Sequence, residues 1–595
     1  MAVSPSDKGN DVVRLTLFSD GTQLDGAVPV ISVTIVKAVN RIPSARIVIL
    51  DGDMPGKDFP VSNTDSFKPG AKIKINAGYG SEEETIFQGV VVRHGVKISG
   101  DNYSRLLVEC RDQAVKLTIG RKNGNFVDST DSDIIGKLIG NAGLAKDLDA
   151  TMKQHKELVQ YYCTDWDFIL SRAEANGLLV IADDGKVAVK APDTSAAPPL
   201  KVTYGEDLME FQADLDAESQ LTSVKGVSWD TKTQAVVEAE QAPQTLNAQG
   251  NLASAALAGV VGPASYRLQT SAPVDKDVLT AWTKGCQIKS GLARIRGRMK
   301  FQGSAKAKAG SLIELAGVGN RFNGTVFVTA VNHEIAGGNW LTEVEFGLSP
   351  DWFAEQRDLV APPAAGLLPG VEGLLVGVVT KLDGDPEGEN KIQVKVPVLQ
   401  AETEGVWARL AQFYASDGIG AFFVPEIGDE VVLGYFNNDP SHPVILGSLY
   451  SSKRKPPYAL AAENNTKAIV TRSKMKMEFE EKDKVITIST PGNNKIVISD
   501  KDKSILIQDQ NNNKVELKPD GIVLDSPKDI TITAKGKITL DAVQTIGITA
   551  KQDVKTAGLN ISNEAQVGFT AKGNATAELS ASGQTTVKGA MVMIN

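Results

Sequence analysis

The run HEIAG (333–337) opens like a zinc-protease helix. That chemistry needs two His ligands four residues apart on one helical face, with a Glu between them as general base. Position 337 is Gly, so the second ligand is missing. His333 beside the Gly337-Gly338 pair reads instead as a strand-end residue near a turn. The four histidines, His94, His155, His333 and His442, show no metal-ligand spacing. The acidic run DGDPEGEN (383–390) lacks the Asp-x-Asp-x-Asp-Gly order and twelfth-position Glu of a calcium loop. Between two strands it reads as a turn. No G-x-S-x-G elbow and no phosphate loop occurs, and GVGNRFNG (317–324) has the wrong glycine spacing for a dinucleotide site. We expect no catalytic residues, no cofactor and no metal.

The elements around these residues are mostly strands. Apolar alternation marks Val12–Leu17, Ile31–Val36, Arg46–Leu50, Ile73–Ile75 and Leu106–Glu109, separated by turn clusters such as DGDMPG (51–56). Helical spacing follows at Asp131–Leu144 and Thr164–Gly177, the latter with Thr164 and Asp167 at capping-box spacing and Asn176-Gly177 as its stop. Strands resume at 178–181 and 187–190, helix-compatible runs at 251–261 and 276–292, and a second strand block at Arg294–Phe346. Two β blocks with helices between them predict a paired β-barrel region over 1–360. APPAAGLLPG makes 361–371 a linker. Five short strands over 372–450 are the right size for an OB-type barrel. Residues 451–473, with KRKPPY, read as a connector.

From Lys474 the pattern repeats. Ile486/Ile488, Ile496/Ile498, Ile505/Ile507 and Val515/Leu517 recur at nine or ten residues, with Gly/Asn/Asp turns between them. The period then tightens to eight: Ile522/Leu524, Ile530/Ile532, Ile538/Leu540 and Ile546/Ile548. After a one-residue slip between Val554 and Ile561 it continues through Phe569, Leu579 and Val587. Each octad offers one or two apolar groups on one side. A single copy cannot close a core with so few, and its strand edges stay bare. Residues 474–595 are therefore expected to form a β-needle stable only as an intertwined oligomer.

Composition narrows the function. The chain has 595 residues, 55 of them Gly, and a net charge of −9. An acidic chain gains nothing from counterion release on nucleic acid or anionic lipid, so neither is an expected partner. No apolar run approaches the ~20 residues of a membrane span, so none is expected. The N-terminus lacks a Sec signal. Cys110, Cys163 and Cys286 are few and scattered, as in a chain made in a reducing cytoplasm.

Jointly these features resemble the VgrG family, the central spikes of type VI secretion systems and related phage-tail-like injection particles. FFVPEIGDEVVLGYFNNDPSHPVILGSLY (422–450) carries the resemblance most specifically. YYCTDWDFILSRAEANGLLV (161–180) is similar to the family's hub helix, and VKGAMVMIN (587–595) to its needle ending. The resemblance implies a mainly β trimer: a hub with two tube-protein-like barrels per chain, an OB neck and a β-helical shaft. Such a trimer adapts a six-fold tube to a three-fold needle. Its implied partners are itself, the inner tube protein, baseplate proteins, a PAAR-like tip protein and possibly effector cargo. The octad residues named above would form the trimer core, and Val592, Met593, Ile594 and Asn595 the tip contact. Assembly in the bacterial cytoplasm and delivery outside the cell are implied too.

Some relatives differ. Residues 451–473 are too few for the muramidase that some spikes carry, and no His follows His442 to bind a tip metal. The chain is expected to end with the needle. The competing expectations are a trimeric fibre or adhesin and a cell-wall hydrolase. The hub-like helix and the PEIGDE turn speak against the first, the missing insert against the second.

Overall fold

The computed structural model describes every residue except 1, 8–10, 101–102, 357–358, 400–403 and 595. Two compact units emerge, Met1–Leu449 and Tyr450–Asn595. Strand residues outnumber helical ones, 39% to 12%, so the chain is mainly β. Among the described residues no helix is long and apolar enough to cross a membrane.

The two expected hub barrels share one ladder. Thirteen strands form a single sheet, joined where Val30–Ala38 pairs antiparallel with Gly324–Ala336. Two apolar cores lie along it. One gathers Val33, Ile47, Ile75, Phe87 and Val108. The other gathers Val202, Phe301, Ile313, Val328 and Phe346. The longest strand, Glu82–Ile98, escapes the sequence pattern. Its alternation is broken by two register shifts, one opposite Ile75/Asn76 of one neighbour and one between its own Val91 and Arg93 against the other.

Among the described residues four α-helices are inserted: α1 (Asp131–Asn141), α2 (Asp165–Ala175), α3 (Ser254–Val261) and α4 (Lys276–Ala293). Thr164 caps α2, accepting from the Asp167 N–H at 3.0 Å, and Trp166, Phe168, Ile169 and Ala173 enter the core it shares with α1. The reciprocal capping box belongs to α1, at Thr130 and Asp133. A buried Asp131 ties the two helices. It takes Arg172 through both oxygens (2.6 and 3.0 Å), Asn176 at 2.8 Å and His155 at 3.1 Å.

His333 sits within Gly324–Ala336 at the sheet junction, opposite Ile35 and Thr342. Its Nδ1 lies 3.0 Å from the Thr342 hydroxyl, and the Trp340 indole donates to it at 3.4 Å. Burial, helped by the Lys37 charge, pushes its pKa down to about 3. The unfolded ensemble binds a proton below about pH 6.5 and the folded hub does not. Hub stability should therefore fall as pH drops from about 6.5 toward 3, by about 1.4 kcal/mol per unit. Urea melts of the hub transition between pH 7.5 and 4.5 check this: His333→Gln should remove that part of the slope.

The OB unit is a closed five-stranded barrel: Leu375–Lys381, Ile392–Lys395, Val406–Leu410, Pro443–Ser448 and Glu430–Tyr435. Val379, Val394, Ala408, Leu433 and Ile445 fill it. The PEIGDE run is its turn. Gly428 has φ +82, Asp429 accepts from the Glu426 N–H at 2.8 Å, and Gly428 N–H bonds the Val379 carbonyl at 2.8 Å. Phe422–Val424 lies outside the ladder; Pro425 follows it and has no N–H to give.

Candidate functional site: an uncovered apolar face

The second unit opens with a seven-stranded antiparallel meander from Thr466–Val470 to Gly521–Asp525. It begins inside the stretch read as connector. The first six strands start at 466, 476, 485, 495, 504 and 514, so steps of ten and nine alternate before the last strand begins at 521. Five turns each place one residue at positive φ: Lys474, Lys484, Asn493, Lys503 and Asn512. Lysine is strained there, so Lys503→Gly should stabilise the ladder by about 1 kcal/mol, read from its thermal midpoint.

The register puts one apolar pair from each of the last six strands on the same face, and Ile469 with Lys467 from the first. Met477 and Phe479 stand opposite Ile488 and Ile486, and these opposite Ile496 and Ile498. Ile505 and Ile507 follow, then Leu517 and Val515, then Ile522 and Leu524. The reverse face is mixed: Lys476 bonds Glu478 at 2.9 Å and Lys514 pairs with Glu516 at 3.5 Å, while Val497, Leu506 and Val523 share its central row. A sheet face this continuously apolar is normally buried. Here nothing does: exposure on the apolar face runs from 37% at Met477 to 75% at Ile522, with only Ile486 and Val515 half-buried. Ile469, Met477 and Phe479 were missed as members, although the alternation in KMKMEFE (474–480) announces the last two.

Ile522 and Leu524 close this ladder rather than open the octads, because Lys514–Lys518 pairs with their strand. After Asp525 no strand pairing occurs among the described residues. Bends begin at 527, 535, 543, 551 and 559, then at 566, 574, 582 and 590. The step is eight throughout except for seven at 559–566, which locates the slip. Ile530, Ile532, Ile538, Leu540, Ile546 and Ile548 are 49–71% exposed, and Phe569, Leu579 and Val587 are exposed too. Val592, Met593 and Ile594 are exposed at the end, while Asn595 lies outside the described residues.

The chemistry-bearing residues have local jobs. Asp385 in DGDPEGEN accepts from the N–H groups of Glu387, Glu389 and Lys391. His94 bridges Ser62 (2.7 Å) and the Phe67 carbonyl (2.9 Å), and His442 pairs with Asp439 at 3.2 Å. Among the described residues no His/Cys/Asp/Glu group is placed to hold a metal.

Residues 9–337 match the family model described as the Alg8 N-terminal domain. Residues 375–450 match the type VI secretion system/phage-baseplate injector OB domain, and 485–548 the phage baseplate V C-terminal trimerisation domain. Type VI secretion system spike protein VgrG3 of Vibrio cholerae is 27% identical over 188 residues, 28% of this chain and 18% of that one. Spike protein VgrG5 of Pseudomonas aeruginosa is 32% identical over 125 residues, 20% and 15% of the two chains. Actin cross-linking toxin VgrG1 of V. cholerae is 28% identical over 109 residues, 17% and 10%. The chain thus spans less than a fifth of each of these relatives. Among solved structures, the 43 kDa tail protein of prophage MuSo2 from Shewanella oneidensis aligns at TM-score 0.43 and 10% identity, covering 57% of this chain and 99% of that one.

Proposed function

The chain belongs to the Alg8 N-terminal domain family and joins to it the OB and trimerisation domains of phage baseplate V and VgrG spikes, and on that premise we propose that three copies form the central spike and hub of a contractile injection system. The observation that carries this reading is the apolar face of the meander and the octad pairs beyond it, which one chain leaves uncovered. Three copies bury those faces against one another and give each bare strand a neighbour. The role is mechanical rather than enzymatic. The hub adapts a six-fold tube to the three-fold needle and meets tube and baseplate proteins. The needle punctures the target envelope, and effectors ride with the particle. Val592, Met593, Ile594 and Asn595 receive a PAAR-like tip protein.

Native mass spectrometry tests the assembly. The expected particle has three times the 63.2 kDa chain mass, and a stable folded monomer would refute it. Deleting residues from Ala590 onward should abolish capping by the tip protein and leave the trimer intact. Capping that survives the deletion would refute the tip assignment.

A further inference from the structure

A cavity of about 330 Å³ opens beside α4, outside everything described so far. Trp282, Cys286 and Lys289 line it at i, i+4 and i+7, one stripe of that helix. Tyr266 and Leu268, two apart on the strand Ser265–Gln269, form a second wall, and Pro350–Trp352 with Glu355 a third. Three aromatic rings therefore face one space.

Its charge is one-sided. Glu218, Asp351 and Glu355 line it against a single cation, Lys289. That lysine is already held by Glu174 and stands 5.6 Å from the centre of the Trp352 ring. Among the described residues neither Glu218 nor Glu355 has an ion-pair partner, and Asp351 has only the Ser349 hydroxyl at 2.7 Å. Cys286 adds no charge, because burial, then the Glu174 carboxylate, pushes its thiol up to about 12. An apolar side chain seated here would strip water from carboxylates and give nothing back. An anion would be repelled. A planar guanidinium stacks on an indole face and still offers paired donors to a carboxylate, which an ammonium cannot do in one pose.

We propose that this cavity receives an arginine side chain presented by a partner protein docked on the hub. The inference rests on the spike reading only in making that partner a component of the injection particle. The site itself is a property of the single chain.

The test uses the full-length protein and N-acetyl-arginine amide as probe, with N-acetyl-citrulline amide as the uncharged twin of the same shape. Tryptophan fluorescence and calorimetry should show saturable binding of the first, in the millimolar range expected for one side chain, and none of the second. Asp351→Asn with Glu355→Gln should weaken it about tenfold or more. Trp282→Leu should weaken binding by calorimetry and reduce the fluorescence response, with Trp352 left as reporter, while circular dichroism stays unchanged. Equal binding of citrulline, an unsaturable response, or full affinity in the double variant would overturn the proposal. So would a change of native mass on Trp282→Leu, which would make the cavity a contact between copies of this chain. Native mass of the unsubstituted protein reports the spike reading separately, so each idea can fail alone.

Discussion

Placing Asp at both Ile498 and Ile546 is expected to turn the assembly into monomers on native mass spectrometry while the hub stays folded. Ile498 stands mid-ladder and is 43% exposed; Ile546 is in the octads and 50% exposed. Neither supports a core within its own chain, so aspartate costs the isolated chain little. In a closed assembly the same positions meet their counterparts across an axis. Three carboxylates would then crowd each layer in place of apolar groups. Each lost isoleucine forfeits about 1–2 kcal/mol of burial. Each buried, unpaired carboxylate adds several kcal/mol more. Two levels are needed because the ladder and the octads present separate apolar stretches. An undisturbed oligomer in the double variant would mean that association rests elsewhere, for example on the exposed Phe413 and Phe422 of the OB unit.

The second large effect lies in the hub. Asp131→Ala should destabilise it by about 3–5 kcal/mol, visible as a shift of the hub's denaturant midpoint. Burial pushes the Asp131 carboxyl up, but Arg172, Asn176 and His155 outweigh it and hold the group below the usual carboxylate range. Its contribution is thus complete above about pH 4, its unfolded value, and is lost as pH falls through the lower folded value. Truncation leaves the Arg172 guanidinium without its two-point partner between α1 and α2. Asp131→Asn keeps the shape and part of the hydrogen bonding, so it should cost less than Asp131→Ala. If the two variants melt alike, the charge of Asp131 is irrelevant and the account above fails.

How much of this was legible depends on how local each feature is. The meander announced itself because turn residues and n/n+2 pairs recur at nine and ten residues. The OB barrel was legible because its five short strands are local to 372–450. The shared hub sheet was not, since Val30–Ala38 and Gly324–Ala336 lie almost 300 residues apart and nothing in either states its partner. The cavity beside α4 was hidden similarly, as Tyr266, Trp282 and Trp352 come from three separate elements. HEIAG shows the reverse failing of local reading: a motif beginning that the strand periodicity around it already contradicted.

The seven-residue coil at 559–566 changes what the needle's repetition permits. A shaft of identical octads is like a ruler without numerals. One chain could loop out eight residues and re-engage its neighbours one notch along, with every apolar pair again matched. The short coil removes that freedom for everything beyond it. In the proposed oligomer a chain displaced by one notch would set its seven-residue step against an eight-residue step, and the apolar groups beyond it would no longer face one another. In the proposed oligomer the irregularity would act as a key cut into an otherwise uniform bar, holding the copies at one level beyond it.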